Sequence, residues 1–221
     1  MQRIPEAELM NEEQQACAYA HADFAAPHDH FIELFQEKFP DLEINDTVLD
    51  LGCGPADISR RFAEAYPQCH IHGVDGASAM LNYGQQLNEQ ANLGDRIKLI
   101  EAMLPGASLP QNFYHVIISN SLLHHLHDPF VLWNTLQQHA KPFASIFVMD
   151  LMRPESKEKA RQLTQQYAVN EPKVLQEDFY HSLCAAFTPE EVQQQLDEMA
   201  MHSLKIETVS DRHMIIYGQL A

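Results

Sequence analysis

Basic residues are scarce in this sequence. Its 221 residues hold 14 Lys and Arg against 31 Asp and Glu, a formal charge of −17. Such a surface repels a phosphate backbone, and no Lys/Arg cluster breaks the trend, so no nucleic-acid partner is expected. Long apolar runs are missing too. None reaches the ~20 residues that span a bilayer, which predicts no membrane insertion. The opening residues Met1-Gln2-Arg3-Ile4-Pro5-Glu6 contain no signal-peptide core. The four cysteines, Cys17, Cys53, Cys69 and Cys184, form no C-x-x-C pair and read as free thiols of a reducing, cytoplasmic compartment. No internal repeat occurs. Glycine is sparse as well, with only 8 in the chain, and two of them stand in one turn.

That turn lies in Val48-Leu49-Asp50-Leu51-Gly52-Cys53-Gly54-Pro55-Ala56-Asp57-Ile58. An apolar strand ends in an acid, a small-residue turn follows, and a helical pattern starts at once. A second apolar run, Ile71-His72-Gly73-Val74, closes on Asp75. Strand, glycine turn, helix and a strand-tip acid make a nucleotide half-site. Glycines at 52 and 54 let backbone approach a ligand, and Asp75 is placed to accept ribose hydroxyls. A dinucleotide fingerprint G-x-G-x-x-G would need glycine where Asp57 stands. No G-x-x-x-x-G-K-[ST] occurs, which excludes a nucleoside triphosphate loop.

Asp50-Leu51-Gly52-Cys53-Gly54-Pro55-Ala56 resembles motif I of the class I S-adenosylmethionine-dependent methyltransferases, [DE]-x-G-x-G-x-G, with Ala56 in place of the last glycine. Ser119-Asn120-Ser121-Leu122-Leu123-His124-His125-Leu126-His127-Asp128-Pro129 resembles motif IV of small-molecule members of the ubiquinone/menaquinone-biosynthesis type. The resemblance covers about residues 45 to 150. It implies S-adenosylmethionine as cofactor, bound by Asp50, Gly52, Cys53, Gly54, Asp75, Gly76, Met80, Glu101, Ala102, Met103, Asn120 and Ser121. Met80 packs either on adenine or in the core. Glu101 stands where the family often has an acid near the adenine amino group, or is simply a solvated acid. The sequence lacks the [DN]-P-P-[YFW] of adenine- and glutamine-directed amino-methyltransferases. It also lacks the strand-four acid of magnesium-dependent catechol-type members.

Short apolar runs alternate with helical segments: 47–51, the strand ending at Asp75, 97–101, 116–120 and 146–150. Such alternation predicts a parallel sheet covered on both faces. A closing pair, 204–209 and 214–217, resembles the hairpin that adds an antiparallel strand. The alternation makes the fold class α/β, and the resemblance to class I methyltransferases implies a Rossmann-like, seven-stranded, mostly parallel sheet of order 3-2-1-4-5-7-6. The expected organisation is one domain, with an N-terminal helical lid (1–45) divided at Pro27 and a cofactor-binding core (46–150). A helical insertion over the site (151–187) and a closing helix and hairpin (188–221) complete it. Thr188-Pro189-Glu190-Glu191 reads as a capped helix start.

Thirteen histidines invite a metal reading, above all His28-Asp29-His30 and His124-His125-His127-Asp128. Metal sites need ligands converging from one face. Neighbouring His124 and His125 are expected to point apart, so no metal is expected. His124 is the candidate general base, with a packing or capping role as the alternative. Substrate contacts are expected from Tyr19 and Phe24 in front, Arg153 after strand five, and Phe179, Tyr180 and Ser182 in the insertion. Arg153 could pair with a substrate carboxylate or phosphate or with an internal Asp. The expected partner is a small-molecule acceptor, and a homodimer is compatible with the composition. Two other readings stay open: a binder that does not turn the cofactor over, and a nicotinamide oxidoreductase without its third glycine.

Overall fold

The computed structural model describes residues 1–7, 9 and 12–220. A seven-stranded sheet of order β3-β2-β1-β4-β5-β7-β6 forms its centre. The strands are β1 (Thr47–Leu51), β2 (His70–Asp75), β3 (Ile97–Glu101), β4 (Tyr114–Asn120), β5 (Ala140–Leu151), β6 (Lys205–Thr208) and β7 (His213–Gln219). β1 to β5 run parallel, and β7 is antiparallel to both β5 and β6. The expected architecture is the observed one. β5 is longer than its apolar run implied: Ala140 already pairs with Tyr114 of β4, and β7 pairs with it from Ser145 to Leu151.

Side chains on each strand alternate between two cores, as the pleat requires. Val48, Ile118 and Phe147 pack with Phe31 and Phe35 of α2 (Ala25–Lys38) and Phe62 of α3 (Asp57–Ala65). Leu49, Ile117 and Val148 face the other way, onto Leu132, Trp133 and Leu136 of α5 (Phe130–His139). Val192 and Leu196 of α8 (Pro189–Glu198) join that side. The only tryptophan is fully buried there, and its Nε1–H donates to Gln195 Oε1 at 2.9 Å. α8 starts with the capping box expected for Thr188 and Glu191. Helix α4 (Ser78–Gln90) lies beside β2 and β3 and carries α1 (Glu13–His21), whose Ala16 packs on Ala77, Ala79 and Met80.

Pro27 does not divide the N-terminal helices. The break falls at 22–24, and Pro27 sits in the first turn of α2, where its missing N–H costs nothing. The segment before α1 is not helical where described; it runs as a strap across the C-terminal half. Ile4 N–H donates to Cys184 O at 3.0 Å, and the Arg3 guanidinium stacks 3.9 Å from the Phe187 ring centroid. The insertion forms α6 (Lys157–Tyr167) and α7 (Lys173–Ala185). No helix among the described residues is long and apolar enough to cross a membrane.

Candidate functional site

Strand order reverses between β1 and β4, and the crevice above such a switch point is where open α/β sheets bind ligands. A cavity of about 630 Å³ opens there, within the usual range for small-molecule sites. Its floor is the turn after β1, with Gly52 at φ 72° and Gly54 at φ 52°. The two glycines have different reasons. A Cβ at Gly52 would lie 2.8 Å from Leu122 Cβ, so that position is closed by packing. A Cβ at Gly54 meets nothing within 4 Å. Gly54 is therefore bare toward the cavity, a cradle that a side chain would fill. Ala56, in the place of the motif's last glycine, is also left-handed at φ 61° and fully buried. An alanine there carries strain of about 1–2 kcal/mol that glycine would not.

Asp75 ties the next strand tip to this turn. Its Oδ2 accepts Gly54 N–H at 2.8 Å and its Oδ1 accepts Ala77 N–H at 2.8 Å. Gly76 N–H bonds the carboxylate as well, and the remaining acceptor capacity is what a ligand could use. Burial raises the Asp75 pKa against those hydrogen bonds. Asp50 is deeper, 1% exposed, and accepts Ser59 Oγ–H at 2.5 Å. Burial pushes it up to about 7, with Asp75 adding to the rise. Asp57, the residue in the way of a dinucleotide fingerprint, opens α3. Burial opposes its charge, but hydrogen bonds from His28 and Arg61 hold it well below the usual carboxylate range.

Gly76, Met80, Ala102, Met103, Asn120, Ser121 and Cys53 all line the cavity, as expected of cofactor contacts. Glu101 does not; it is exposed on β3, paired in register with Asp75. Tyr19 and Phe24 line the cavity with ring centroids 4.7 Å apart. Burial, with Asp57 and Asp75 nearby, pushes the Tyr19 hydroxyl up to about 12. Phe179 and Ser182 line the cavity from α7. Tyr180, one residue on from Phe179, turns away under Arg161. Arg153 is outside the lining as well: its guanidinium donates to Glu191 Oε1 at 2.5 Å and to Ala186 O at 3.1 Å. Of the two pairings open to Arg153, the internal one is observed.

At the far end of the cavity the chain after β4 makes a single 3-10 turn, Leu123–His125. His124 is 2% exposed and its Nδ1 lies 2.6 Å from Asp150 Oδ1 at the end of β5. Asp150 also accepts Leu123 N–H and Leu151 N–H, at 2.8 and 2.7 Å. Burial works against a proton on His124, but Asp150 and Glu6 outweigh it and raise its pKa. His125 goes the other way: burial and the neighbouring His124 push it down to about 3.

The two histidines do not point apart. The turn is tight enough that their rings stack, with centroids 4.2 Å apart and planes at 35°. Both reach Glu6, whose Oε1 is 3.6 Å from His124 Nε2 and 3.3 Å from His125 Nδ1. Neither Glu6 nor Asp178, which accepts from Gln15 at 2.9 Å and lines the cavity, carries any motif in the sequence. Glu6 arrives on the strap, from the far end of the chain. The other histidine group disperses: His28 Nδ1 bonds Asp57 at 2.6 Å, and His30 faces Glu33.

Residues 48–143 match the family described as Methyltransferase domain. That segment carries the signature of a methyltransferase domain. The chain is similar to a trans-aconitate 2-methyltransferase of Azoarcus sp. (strain BH72), 31% identical over 96 residues that cover 43% of this chain. The match spans only 35% of that relative. In fold it resembles a putative S-adenosyl-L-methionine-dependent methyltransferase from Methanococcus maripaludis, with TM-score 0.72 and 18% identity over 99% of this chain and 98% of that one. It also resembles phosphoethanolamine N-methyltransferase 2 of Haemonchus contortus, solved with S-adenosyl-L-methionine, with TM-score 0.71 and 10% identity. That likeness covers 95% of this chain and 57% of the other. S-Adenosylmethionine is the cofactor of the family, and the methyltransferase-domain residues here fit it. Gly54 leaves the space open, and Asp75 keeps acceptor capacity beside it.

Proposed function

We propose that this protein transfers the methyl group of S-adenosylmethionine to a small-molecule acceptor in the cytoplasm. The observation that carries the reading is the pairing of the bare Gly54 cradle with Asp75 at the strand tips, inside the segment that matches a methyltransferase domain. The Leu123-His124-His125-Leu126 run before Asp128-Pro129 favours an acceptor class like that of the ubiquinone/menaquinone-biosynthesis type.

When bound, the cofactor supplies a methyl group already activated on a sulfonium centre. The chain's own part is alignment and exclusion of water. The turn 52–54 offers backbone to the methionine portion, Asp75 takes the ribose hydroxyls, and Ala102 and Met103 flank the adenine end. Tyr19, Phe24 and Phe179 roof the acceptor with apolar surface. Leu151 and Met149 contribute from β5. His124, oriented through Nδ1 by Asp150, presents Nε2 at the acceptor end and is where the acceptor's proton is dealt with.

Calorimetry and thermal denaturation test this directly. S-adenosylhomocysteine should bind and raise the melting temperature, while NAD should do neither. Stabilisation by NAD with none by S-adenosylhomocysteine would overturn the reading. Metabolite extracts incubated with the protein and S-adenosylmethionine, read by a mass gain of one methyl, then identify the acceptor. Cofactor binding with no methylated product in any extract would favour a binder over an enzyme.

A further inference from the structure

Three nitrogen and oxygen donors converge at the acceptor end of the cavity. Glu6 Oε1, His124 Nε2 and His125 Nδ1 all lie within 4.8 Å of one another. The two separations from Glu6 are 3.3 and 3.6 Å. Donors around a tetrahedral ion with bonds of about 2.1 Å stand about 3.4 Å apart, so the spacing suits a metal. The group is shielded, with side-chain exposures of 15% for Glu6, 3% for His124 and 15% for His125.

Two of the three donors are oriented by a second residue, and His125 Nδ1 also lies 3.4 Å from Ala7 O, a contact that an ion would replace. Asp150 holds His124 Nδ1 at 2.6 Å, which keeps a proton there and turns Nε2 toward Glu6, where an ion would take the place of a second proton. A carboxylate behind a ligating histidine is the usual outer-shell arrangement of metal sites. Ser182 Oγ–H donates to Glu6 Oε1 at 3.0 Å. The strap that brings Glu6 is itself fixed: Arg3 donates to His124 O and Leu126 O, both at 2.9 Å, and His127 Nε2 bonds Glu6 O at 2.8 Å. His124 Nε2 and the Glu6 carboxylate face each other in a sheltered place, an arrangement that either a proton on Nε2 or a metal cation between them satisfies.

We propose that Glu6, His124 and His125 bind one divalent transition-metal ion of the Zn²⁺ class. Two imidazoles and one carboxylate suit Zn²⁺ or Fe²⁺, whereas Mg²⁺ and Ca²⁺ prefer all-oxygen shells. Three protein ligands leave an open position, the pattern of catalytic rather than structural zinc. It faces the cavity, which His124, His125 and Ser182 line.

The use of the ion rests on the methyltransferase reading. There it would take an acceptor hydroxyl or thiol and lower its pKa, so that the proton leaves to water and His124, with Nε2 on the ion, acts as a ligand in place of the base role. The freed lone pair forms the new bond to the methyl carbon as the carbon–sulfur bond breaks. Sulfur keeps that pair and loses its positive charge, which balances the proton released.

The test does not need the acceptor. Full-length protein stripped with a chelator is titrated with Zn²⁺ by calorimetry, and with Co²⁺ while its visible absorption is followed. One ion per chain should bind, with intense Co²⁺ bands of a four- or five-coordinate site, and excess Mg²⁺ should not compete. Glu6→Gln and His125→Ala should each weaken binding tenfold or more. His202→Ala, at an exposed histidine, should leave it unchanged. Absence of a bound ion, or an affinity indifferent to both ligand variants in folded protein, would overturn the proposal and leave protons as what joins these groups. S-Adenosylhomocysteine binding measured on the same samples is independent. If it fails while the ion binds, the methyltransferase reading falls and the metal site stands.

Discussion

The carboxylate of Asp75 at the tip of β2 holds the backbone N–H of Gly54, 2.8 Å away, in the turn that follows β1. The residue proposed to take the ribose is thus also a brace for the turn after β1. Asp75→Ala removes charge-assisted hydrogen bonds worth about 1.5–3 kcal/mol each. Partial replacement by water leaves an expected loss of about tenfold to a few hundredfold in S-adenosylhomocysteine affinity. The variant should fold, with a lowered melting temperature because Gly54 and Ala77 lose their acceptor. Calorimetry showing unchanged affinity would return Asp75 to a purely bracing role.

Gly52 and Gly54 should separate stability from binding. Gly54→Ala places a methyl in open space at φ 52°, so the protein folds with a strain of about 1–2 kcal/mol and loses most cofactor affinity. Gly52→Ala drives a methyl to 2.8 Å from Leu122 Cβ, so it should lower the melting temperature more than Gly54→Ala does. Equal effects of the two variants on both readouts would show that the turn is read wrongly.

Asp50 should make stability fall as pH rises. Its folded pKa of about 7 lies above the ordinary 3.8. Between those values the folded state holds a proton that the unfolded chain has released, so stability declines with rising pH. The full cost, up to about 4 kcal/mol, is present above pH 7 and absent below pH 4. Asp50→Asn keeps an acceptor for Ser59 and removes the charge. Urea midpoints measured from pH 5 to 8.5 should favour the variant increasingly toward alkaline pH. A gap that does not change with pH would remove the claim.

Gln195→Leu should destabilise the fold without touching the site. It leaves the Trp133 indole N–H buried and unpaired, a loss of about 1–3 kcal/mol. S-Adenosylhomocysteine affinity should be unchanged, since Gln195 is not in the cavity lining. A change in affinity would mean that α8 communicates with the cofactor turn.

The parallel strands, the β1 turn and Asp75 were legible in the sequence because each depends on neighbours in the chain, while the sheet order came through the family resemblance. Continuous apolar runs reveal buried parallel strands, and a strand-turn-helix with small residues reveals the cradle. Helix α8 announced itself through Thr188, Pro189 and Glu191 for the same reason. The far end of the cavity obeyed no such local rule. His124 and His125 were expected to diverge, but a 3-10 turn anchored by Asp150 stacks their rings. Glu6 reaches them only because the strap is bound across α7 and the turn through Arg3 and Ile4. Arg153 shows the converse. Its place after β5 left a substrate anion and an internal acid both open, and Glu191, brought near by the packing of α8, took the guanidinium. Local chemistry in the sequence determined the turn and the strand-tip acid at which we propose the cofactor sits. Long-range packing alone decided which charges meet beside it, since only the folded chain brings distant acids and histidines within bonding distance.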